Sequence, residues 1–251
     1  MPPDLKAFKS TAAYYSVLFN ESERLQRESP LLRQCLAQAP GNRVADLACG
    51  TGAHAWFFAE VGAHVSAFDL SPEMIAHAQT HRSHQNITYA QGDMRHPQGG
   101  PWDLAVCLGN SLSLLPTLAD IERTLSNTHA ALAPGGLFLL QVLNYARLEA
   151  QQPDHRVVRK QLGETQVTAI KNLVPQGNHT LLTLSFYAEN NGQYSTVSET
   201  AVLLHPTLET LQDVAAQTGF TLTTPQGGFD GAPFNPETSP DLICTLQKPK
   251  V

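Results

Sequence analysis

Two short segments of the chain combine the residue types that bind a nucleoside cofactor. Residues 43–52 (RVADLACGTG) form an apolar strand pattern with an acidic residue, Asp46, near its end, followed by Gly-x-Gly and a helix start. Glycine lets backbone N–H groups approach a ligand closely while the chain turns. A second predicted strand ends in Asp69, 17 positions after Gly52, about where a βαβ unit places a carboxylate on ribose hydroxyls. The two segments together predict a nucleoside cofactor bound at strand ends.

The type of cofactor depends on the acidic residue in the first strand. Residues 50–55 (GTGAHA) also fit the looser dinucleotide pattern G-x-G-x-x-A, so an NAD(P)-dependent oxidoreductase is an alternative. A pyrophosphate is dianionic, and the carboxylate of Asp46 opposes it unless the side chain turns away. The same carboxylate suits a ligand with a cationic end, such as the amino group of a methionyl tail. Asp46 therefore argues against a dinucleotide.

Four segments, in this order, resemble the motifs of the class I S-adenosylmethionine-dependent methyltransferases. They are residues 46–52 (DLACGTG), 69–75 (DLSPEMI), 91–94 (QGDM) and 132–137 (LAPGGL). The resemblance covers roughly residues 40–145. It implies S-adenosylmethionine as the cofactor and an α/β fold with the Rossmann-like, doubly wound, seven-stranded methyltransferase sheet.

The resemblance also implies which residues contact the cofactor. Asp46 would bind the amino group, directly or through water, and Asp69 would accept hydrogen bonds from both ribose hydroxyls. Asp93 and Met94 would bracket adenine, with the carboxylate on the exocyclic amine and the thioether against the ring. The other implied contacts are Ala48, Gly50, Gly52, Leu70, Leu108 and Tyr15.

These enzymes commonly place the methyl acceptor at the end of the fourth strand. Residues 108–112 (LGNSL) are similar to the segment of glycine and sarcosine N-methyltransferases, as is Asn144-Tyr145 after the fifth strand. We predict Asn110 and Tyr145 as catalytic residues, with a plain turn role as the alternative for Asn110. The arginine that precedes the Asn-Tyr pair in those enzymes is Leu143 here. Because an arginine fork is the natural partner of a carboxylate, its absence argues against glycine itself.

Regular elements must bring these segments together, and strand and helix patterns alternate from residue 43 to residue 143. Such alternation predicts a parallel sheet with ligands at its carboxyl edge. After Tyr145 the pattern is β-rich, and Asn191-Gly192 is a strong hairpin signal. The predicted organisation is a core of residues 41–150 and 206–251, with an antiparallel β insertion or lid after the fifth strand at residues 151–205.

Residues 1–40 are predicted to form a helical cap. Within it, Ser29-Pro30 is typical of a helix start, with serine as the cap and proline at the first position. Tyr14 and Tyr15 lie earlier in the cap. One of them could hydrogen-bond the methionyl carboxylate or line the acceptor pocket, and the alternative is an aromatic stripe packed on the core.

Composition and charge restrict the partners. The net charge of −6, with no cluster of Lys and Arg, argues against a nucleic acid. The four cysteines have no C-x-x-C spacing, so neither a metal site nor a disulfide framework is predicted. The N-terminal residues show neither a signal peptide nor a membrane span, and we expect a cytoplasmic protein. An exposed edge of the insertion could pair two subunits into a dimer, although the sequence leaves the oligomeric state open.

The leading interpretation is an enzyme that transfers a methyl group from S-adenosylmethionine to a small-molecule acceptor, by in-line displacement and at an amine nitrogen rather than an oxygen. A non-catalytic S-adenosylmethionine-binding module and an NAD(P)-dependent oxidoreductase are the alternatives. The identity of the acceptor stays open. So does the general base, since nothing in the spacing selects among His155, His179, His205 and Asp230.

Overall fold

The computed structural model describes residues 12–149 and 154–250, in which helices and strands alternate before a run of long strands. The helices are α1 Ala12–Leu18, α2 Glu21–Gln38, α3 Ala53–Glu60, α4 Pro72–His81, α5 Leu118–Ala131, α6 Tyr145–Glu149 and α7 Leu208–Gln217. The strands are β1 Arg43–Leu47, β2 His64–Asp69, β3 Ile87–Gln91, β4 Trp102–Cys107, β5 Leu132–Leu143, β6 Asp154–Leu162, β7 Thr165–Gln176, β8 His179–Asn190, β9 Gln193–Leu204, β10 Thr221–Leu222 and β11 Asp241–Gln247.

Seven strands form one sheet in the order β10-β11-β5-β4-β1-β2-β3. The first five strands of the chain pair in parallel, whereas β11 is antiparallel to β5 and β10 to β11. Alternate residues of β4 belong to two separate hydrophobic clusters, with Leu104 and Val106 in one and Ala105 and Cys107 in the other. A strand covered on both faces needs an unbroken apolar run. The predicted doubly wound sheet is confirmed.

The strand order reverses between β1 and β4, which are neighbours although β2 and β3 separate them in the chain. The connections therefore leave these two strands in opposite directions, and a crevice opens beyond their carboxyl ends. The segments that follow β1 and β4 lie at this crevice.

A second sheet follows β5, in the order β6-β7-β8-β9, and all its pairs are antiparallel. Its strands span residues 154–204, within the predicted insertion. The turn between β8 and β9 has positive φ at Asn191 (51°) and Gly192 (79°), as a two-residue type I′ hairpin requires. The antiparallel insertion after the fifth strand is confirmed, with four strands.

The predicted helix start at Ser29-Pro30 is wrong. Helix α2 begins after the N-cap Asn20 and runs through Pro30 without a break. Proline lacks the N–H that would bond the carbonyl four residues earlier. Here the Ser29 hydroxyl donates to that carbonyl, on Gln26, at 3.2 Å. Ser29, which resembles a helix cap in the sequence, therefore donates a hydrogen bond to the Gln26 carbonyl inside the helix.

An ion pair joins the start of β1 to the start of β4. The buried Asp103 carboxylate accepts from the Arg43 backbone N–H at 3.0 Å and from its guanidinium at 2.9 and 3.0 Å. These hydrogen bonds from Arg43, against the opposing effect of burial, hold the pKa of Asp103 below its usual 3.8. A carboxylate whose pKa is lowered in the folded state stabilises that state above its unfolded pKa.

Asp103→Asn should lower the free energy of unfolding by about 1–3 kcal/mol near neutral pH, because a charged acceptor of three hydrogen bonds is replaced by a neutral one. The deficit should shrink as the pH falls through the lowered pKa, where the wild type protonates too. Urea denaturation on both sides of this pH measures both effects. Asp213→Asn, at an exposed position of α7, is the control. A deficit independent of pH would contradict the electrostatic explanation.

Candidate functional site

The loop after β1 has the backbone shape that the glycine pattern predicts, but its two glycines have different surroundings. Gly50 (φ +55°) has no heavy atom within 4 Å of where a Cβ would lie, so it faces open space. At Gly52 (φ +81°) a Cβ would lie 2.6 Å from the Tyr89 hydroxyl oxygen. Gly50 is therefore free to approach a ligand, whereas Gly52 permits packing between the loop and β3.

Asp69, at the end of β2, holds the glycine loop in place. Its Oδ2 accepts from the Gly50 N–H at 2.8 Å and its Oδ1 from the Ser71 N–H at 2.9 Å. Burial raises the pKa of Asp69, and these backbone hydrogen bonds oppose the shift. The carboxylate thus connects the two segments singled out in the sequence, while each of its oxygens keeps a lone pair for a further donor.

Asp46 is a buried carboxylate at the end of β1. Its Oδ2 has no hydrogen-bond partner among the described residues. Burial raises the pKa of Asp46 to about 6, while the nearby His54 acts in the opposite direction. Buried polar atoms in proteins are nearly always hydrogen-bonded, so an orphaned carboxylate oxygen four positions before the open Gly50 fits a cationic ligand group.

Asp93, after β3, already forms hydrogen bonds with Arg95, which the sequence does not predict. Both carboxylate oxygens accept from the Arg95 guanidinium, at 2.6 to 3.1 Å. Burial tends to raise the pKa of Asp93, but the hydrogen bonds from Arg95 outweigh it and leave the pKa lowered. Arg95 also donates to Asp120 on α5 at 3.0 Å. The role of Asp93 towards adenine stays a prediction, and a ligand amine there would share the carboxylate with Arg95.

The segment after β4 is fixed to β5 through Gln141. The Gln141 Oε1 accepts from the N–H groups of Gly109 (2.8 Å) and Asn110 (3.1 Å). Its Nε2 donates to Asp241 Oδ1 at 2.7 Å. Asn110 has φ +68°, a left-handed conformation that asparagine tolerates. The backbone of the predicted acceptor segment is therefore held by a buried amide.

The side chain of Asn110 is itself part of this framework. Its Oδ1 accepts from the Leu143 N–H at 2.9 Å and from the Ser113 hydroxyl at 3.1 Å. Its Nδ2 donates to the Tyr145 hydroxyl at 2.8 Å. The Tyr145 ring stacks on His205 with centroids 4.2 Å apart, and burial raises the pKa of Tyr145 to about 12. Tyr145 is thus a neutral phenol that positions Asn110.

A cavity of about 820 Å³ lies between the loops of the core sheet and the insertion sheet. Its volume is near the upper end of the ~300–1,000 Å³ typical of ligand pockets. The predicted site residues that line it are Tyr15, Ala48, Gly50, Asp69, Leu70, Asp93, Met94 and Asn110. The predicted residues outside its lining are Asp46, Gly52, Leu108 and Tyr145.

Arg24, on α2, lines the cavity although nothing in its sequence context distinguishes it. Its Nε donates to Glu28 Oε1 at 2.8 Å, and Glu28 Oε2 lies 2.7 Å from His54 Nε2. Burial tends to raise the pKa of Glu28, but His54 and Arg24 outweigh it and lower that pKa. The guanidinium approaches Gly109, where a Cβ would lie 3.2 Å from its terminal nitrogen. A cation thus lies between the loops that follow β1 and β4.

Two classes of site are not found in the described part of the chain. No three His, Cys, Asp or Glu side chains there are grouped as metal ligands. Across residues 12–149 and 154–250, no helix has the length and apolar character needed to cross a membrane.

Comparisons with known proteins agree with this geometry. Residues 44–136 match the family model described as "Methyltransferase domain". The chain is 37% identical to YqeM of Bacillus subtilis, over 45% of this chain and 47% of that protein. It is 28% identical to glycine N-methyltransferase of Oryctolagus cuniculus, over 57% of this chain and 55% of that enzyme. The chain thus spans about half the length of the curated relatives it matches.

Among solved structures, an S-adenosylmethionine-dependent methyltransferase from Clostridium acetobutylicum superposes with a TM-score of 0.80 at 15% identity, over 96% of this chain and 99% of that one. The likeness therefore extends beyond the matched domain, to the insertion sheet and the final strands. Residues 44–136 therefore match a methyltransferase domain, and the chain shares the fold of S-adenosylmethionine-dependent methyltransferases of known structure.

Proposed function

We propose that this protein transfers a methyl group from S-adenosylmethionine to the amine nitrogen of a small molecule. The observation that carries the proposal is that one cavity is lined both by the loops after β1, β2 and β3 and by the segment after β4. The first group of loops has the features of a nucleoside site. The segment after β4 provides a second wall, against which an acceptor can lie.

The residues at the cofactor end fit the chemical groups of S-adenosylmethionine. Asp69 would accept from ribose hydroxyls while it keeps its bonds to the glycine loop. Asp46 lies outside the cavity lining and would accept from the amino group, directly or through water, at the oxygen that has no partner among the described residues. Arg24 is placed to bind the methionyl carboxylate, because a cation between the two loops suits an anion there. Met94 and Leu70 would supply apolar contacts to the base.

The two predicted catalytic residues favour an amine over a hydroxyl, because neither is a base at neutral pH. Asn110 is a neutral amide, and Tyr145 stays protonated at neutral pH because burial raises its pKa to about 12. A hydroxyl acceptor needs a base to remove its proton, whereas a neutral amine attacks without one. The similarity to glycine N-methyltransferase supports the same choice.

When bound, S-adenosylmethionine supplies an electrophilic methyl group: the amine lone pair forms the N–C bond, the C–S bond electrons stay on sulfur, and the product ammonium loses a proton to solvent. The protein therefore needs to align the amine and to exclude water. The insertion sheet, which forms one side of the cavity, covers the reacting groups. Asn110, held by Leu143, Ser113 and Tyr145, fixes the wall on which the amine lies.

Calorimetric titration with S-adenosylmethionine, S-adenosylhomocysteine and NAD⁺ tests the cofactor. We expect binding of the first two only. Incubation with methyl-labelled S-adenosylmethionine and matched pairs of small amines and alcohols then tests the reaction, and label should enter the amines. Binding of NAD⁺ alone would contradict the proposal. Binding of S-adenosylmethionine without transfer to any acceptor would favour the non-catalytic module.

Asp69→Ala should weaken S-adenosylmethionine binding by about 1.5–3 kcal/mol, because charge-assisted hydrogen bonds to ribose are lost and Gly50 loses its acceptor. The dissociation constant from calorimetry measures the effect, and a melting curve checks that the variant folds. Glu122→Ala removes an exposed carboxylate of α5 and should leave the affinity unchanged. If Asp69→Ala binds as tightly as the wild type, the ribose site is misplaced.

The affinity for S-adenosylmethionine should rise as the pH increases through about 6. The free protein holds Asp46 protonated below that pH, and a cationic amino group favours the ionised form. The rise approaches tenfold per pH unit only below pH 6 and levels off above it, so the affinities at pH 5 and pH 7 should differ by up to about tenfold. Titrations about one unit on either side of pH 6 measure it, and Asp46→Asn should remove most of the rise. A wild-type affinity that does not change over this range would rule out contact between Asp46 and the amino group.

A further inference from the structure

The insertion sheet presents two adjacent cross-strand rows to the cavity, and the rows differ in chemistry. In the first row Arg156 pairs with Lys171, and Lys171 pairs with Leu184. In the second row Asp154 pairs with Leu173, and Leu173 pairs with Leu182. Arg156, Lys171 and the three leucines line the cavity, whereas Asp154 does not. Rows two residues apart on one face are separated by about 7 Å, so two cations lie beside an apolar strip.

The ammonium group of Lys171 faces the cavity without an acidic partner. Its Nζ lies 5.4 Å from the centroid of the Phe19 ring, and among the described residues it forms no ion pair or hydrogen bond. Burial lowers the pKa of Lys171, and Arg156 and Arg24 act in the same direction. Asp154 and Asp241 oppose the shift through longer-range attraction. The Phe19 ring and the two carboxylates thus offset only part of the cost of burying the charge, because the pKa of Lys171 stays lowered.

The pairing of Arg156 with Lys171 adds to this cost, since like charges directly opposite each other on neighbouring strands repel. Two other cations that line the cavity, Arg24 and Arg27, differ in having an acidic partner. Arg24 is bonded to Glu28 at 2.8 Å, and Arg27 lies 3.8 Å from the same carboxylate. An anion bound between Arg156 and Lys171 would offset both the desolvation and the repulsion.

The end of β5 supplies no cation that could bind a substrate anion. At the end of β5, Leu143 lines the cavity at the position where the resembling glycine enzymes have arginine. A substrate anion therefore finds no arginine at that position. The cationic row of β6 and β7 is the alternative, and it lines the same cavity.

We propose that Lys171 and Arg156 bind an anionic group, a carboxylate or a phosphate, on the methyl acceptor, and that the acceptor's apolar body lies on Leu173 and Leu182. This inference rests on the proposed function, because it assigns the acceptor to the insertion side of the same cavity. The substrate class is then an amine that carries an anion at the far end of an apolar body.

Calorimetry with octanoate, octyl phosphate and the neutral octanamide, with and without saturating S-adenosylhomocysteine, tests the anion site. Wild-type protein should bind at least one of the two anions about tenfold more tightly than octanamide, and their ratio identifies the preferred anion. Lys171→Met removes the charge but keeps an unbranched side chain, whose thioether can pack against Phe19. It should weaken binding of the preferred anion by about tenfold or more and leave octanamide unchanged.

Two matched controls use cations of β6 that lie outside the cavity lining. Lys160→Met is compared with Lys171→Met, and Arg159→Gln with Arg156→Gln, and neither control should alter anion binding. Equal affinity of the wild type for anions and octanamide, or no effect of Lys171→Met, would overturn the inference. Failure to bind S-adenosylhomocysteine would instead contradict the proposed function, and the titrations without it would still test the anion site.

Discussion

The adjacency of β1 and β4 at the centre of the parallel sheet is the constraint on which the rest of the structure depends. Both strands are buried between two hydrophobic clusters, so their backbones cannot move apart without exposing the core. Their connections depart in opposite directions, so the crevice beyond their carboxyl ends is built into the topology. The glycine loop and the Gly109–Ser111 segment face each other because each directly follows one of these strands.

Ionisable groups are concentrated at this crevice, where burial makes each of them costly. The structure offsets part of the cost internally. Asp69 accepts from two backbone N–H groups, and Glu28 lies between Arg24 and His54. Asp46 is left with an unsatisfied oxygen. An unsatisfied buried oxygen at a ligand site indicates that a ligand supplies its partner. A cofactor with one amino group and one carboxylate would donate to Asp46 and accept from Arg24.

Two parts of the chain, the core sheet and the insertion sheet, line the cavity. The core sheet supplies the loops that fit the cofactor, and in our proposal the insertion supplies the wall that binds the acceptor. A methyl sulfonium is already reactive, so the protein contributes mainly by alignment and by excluding water. The acceptor wall can therefore carry its own recognition chemistry, which in our proposal is the Arg156–Lys171 row.

The sequence by itself determined the doubly wound sheet, the glycine loop and the position of Asp69 at the end of β2, because these depend on local periodicity and on short-range spacing. It misplaced the start of α2, since Ser29 looks like a cap until the position of the Gln26 carbonyl is known. Only the tertiary structure decided that Tyr145 lies behind Asn110, and that Arg24 and Lys171 reach the cavity. Those contacts join residues far apart in the chain, and no local pattern encodes which buried charge faces which ligand.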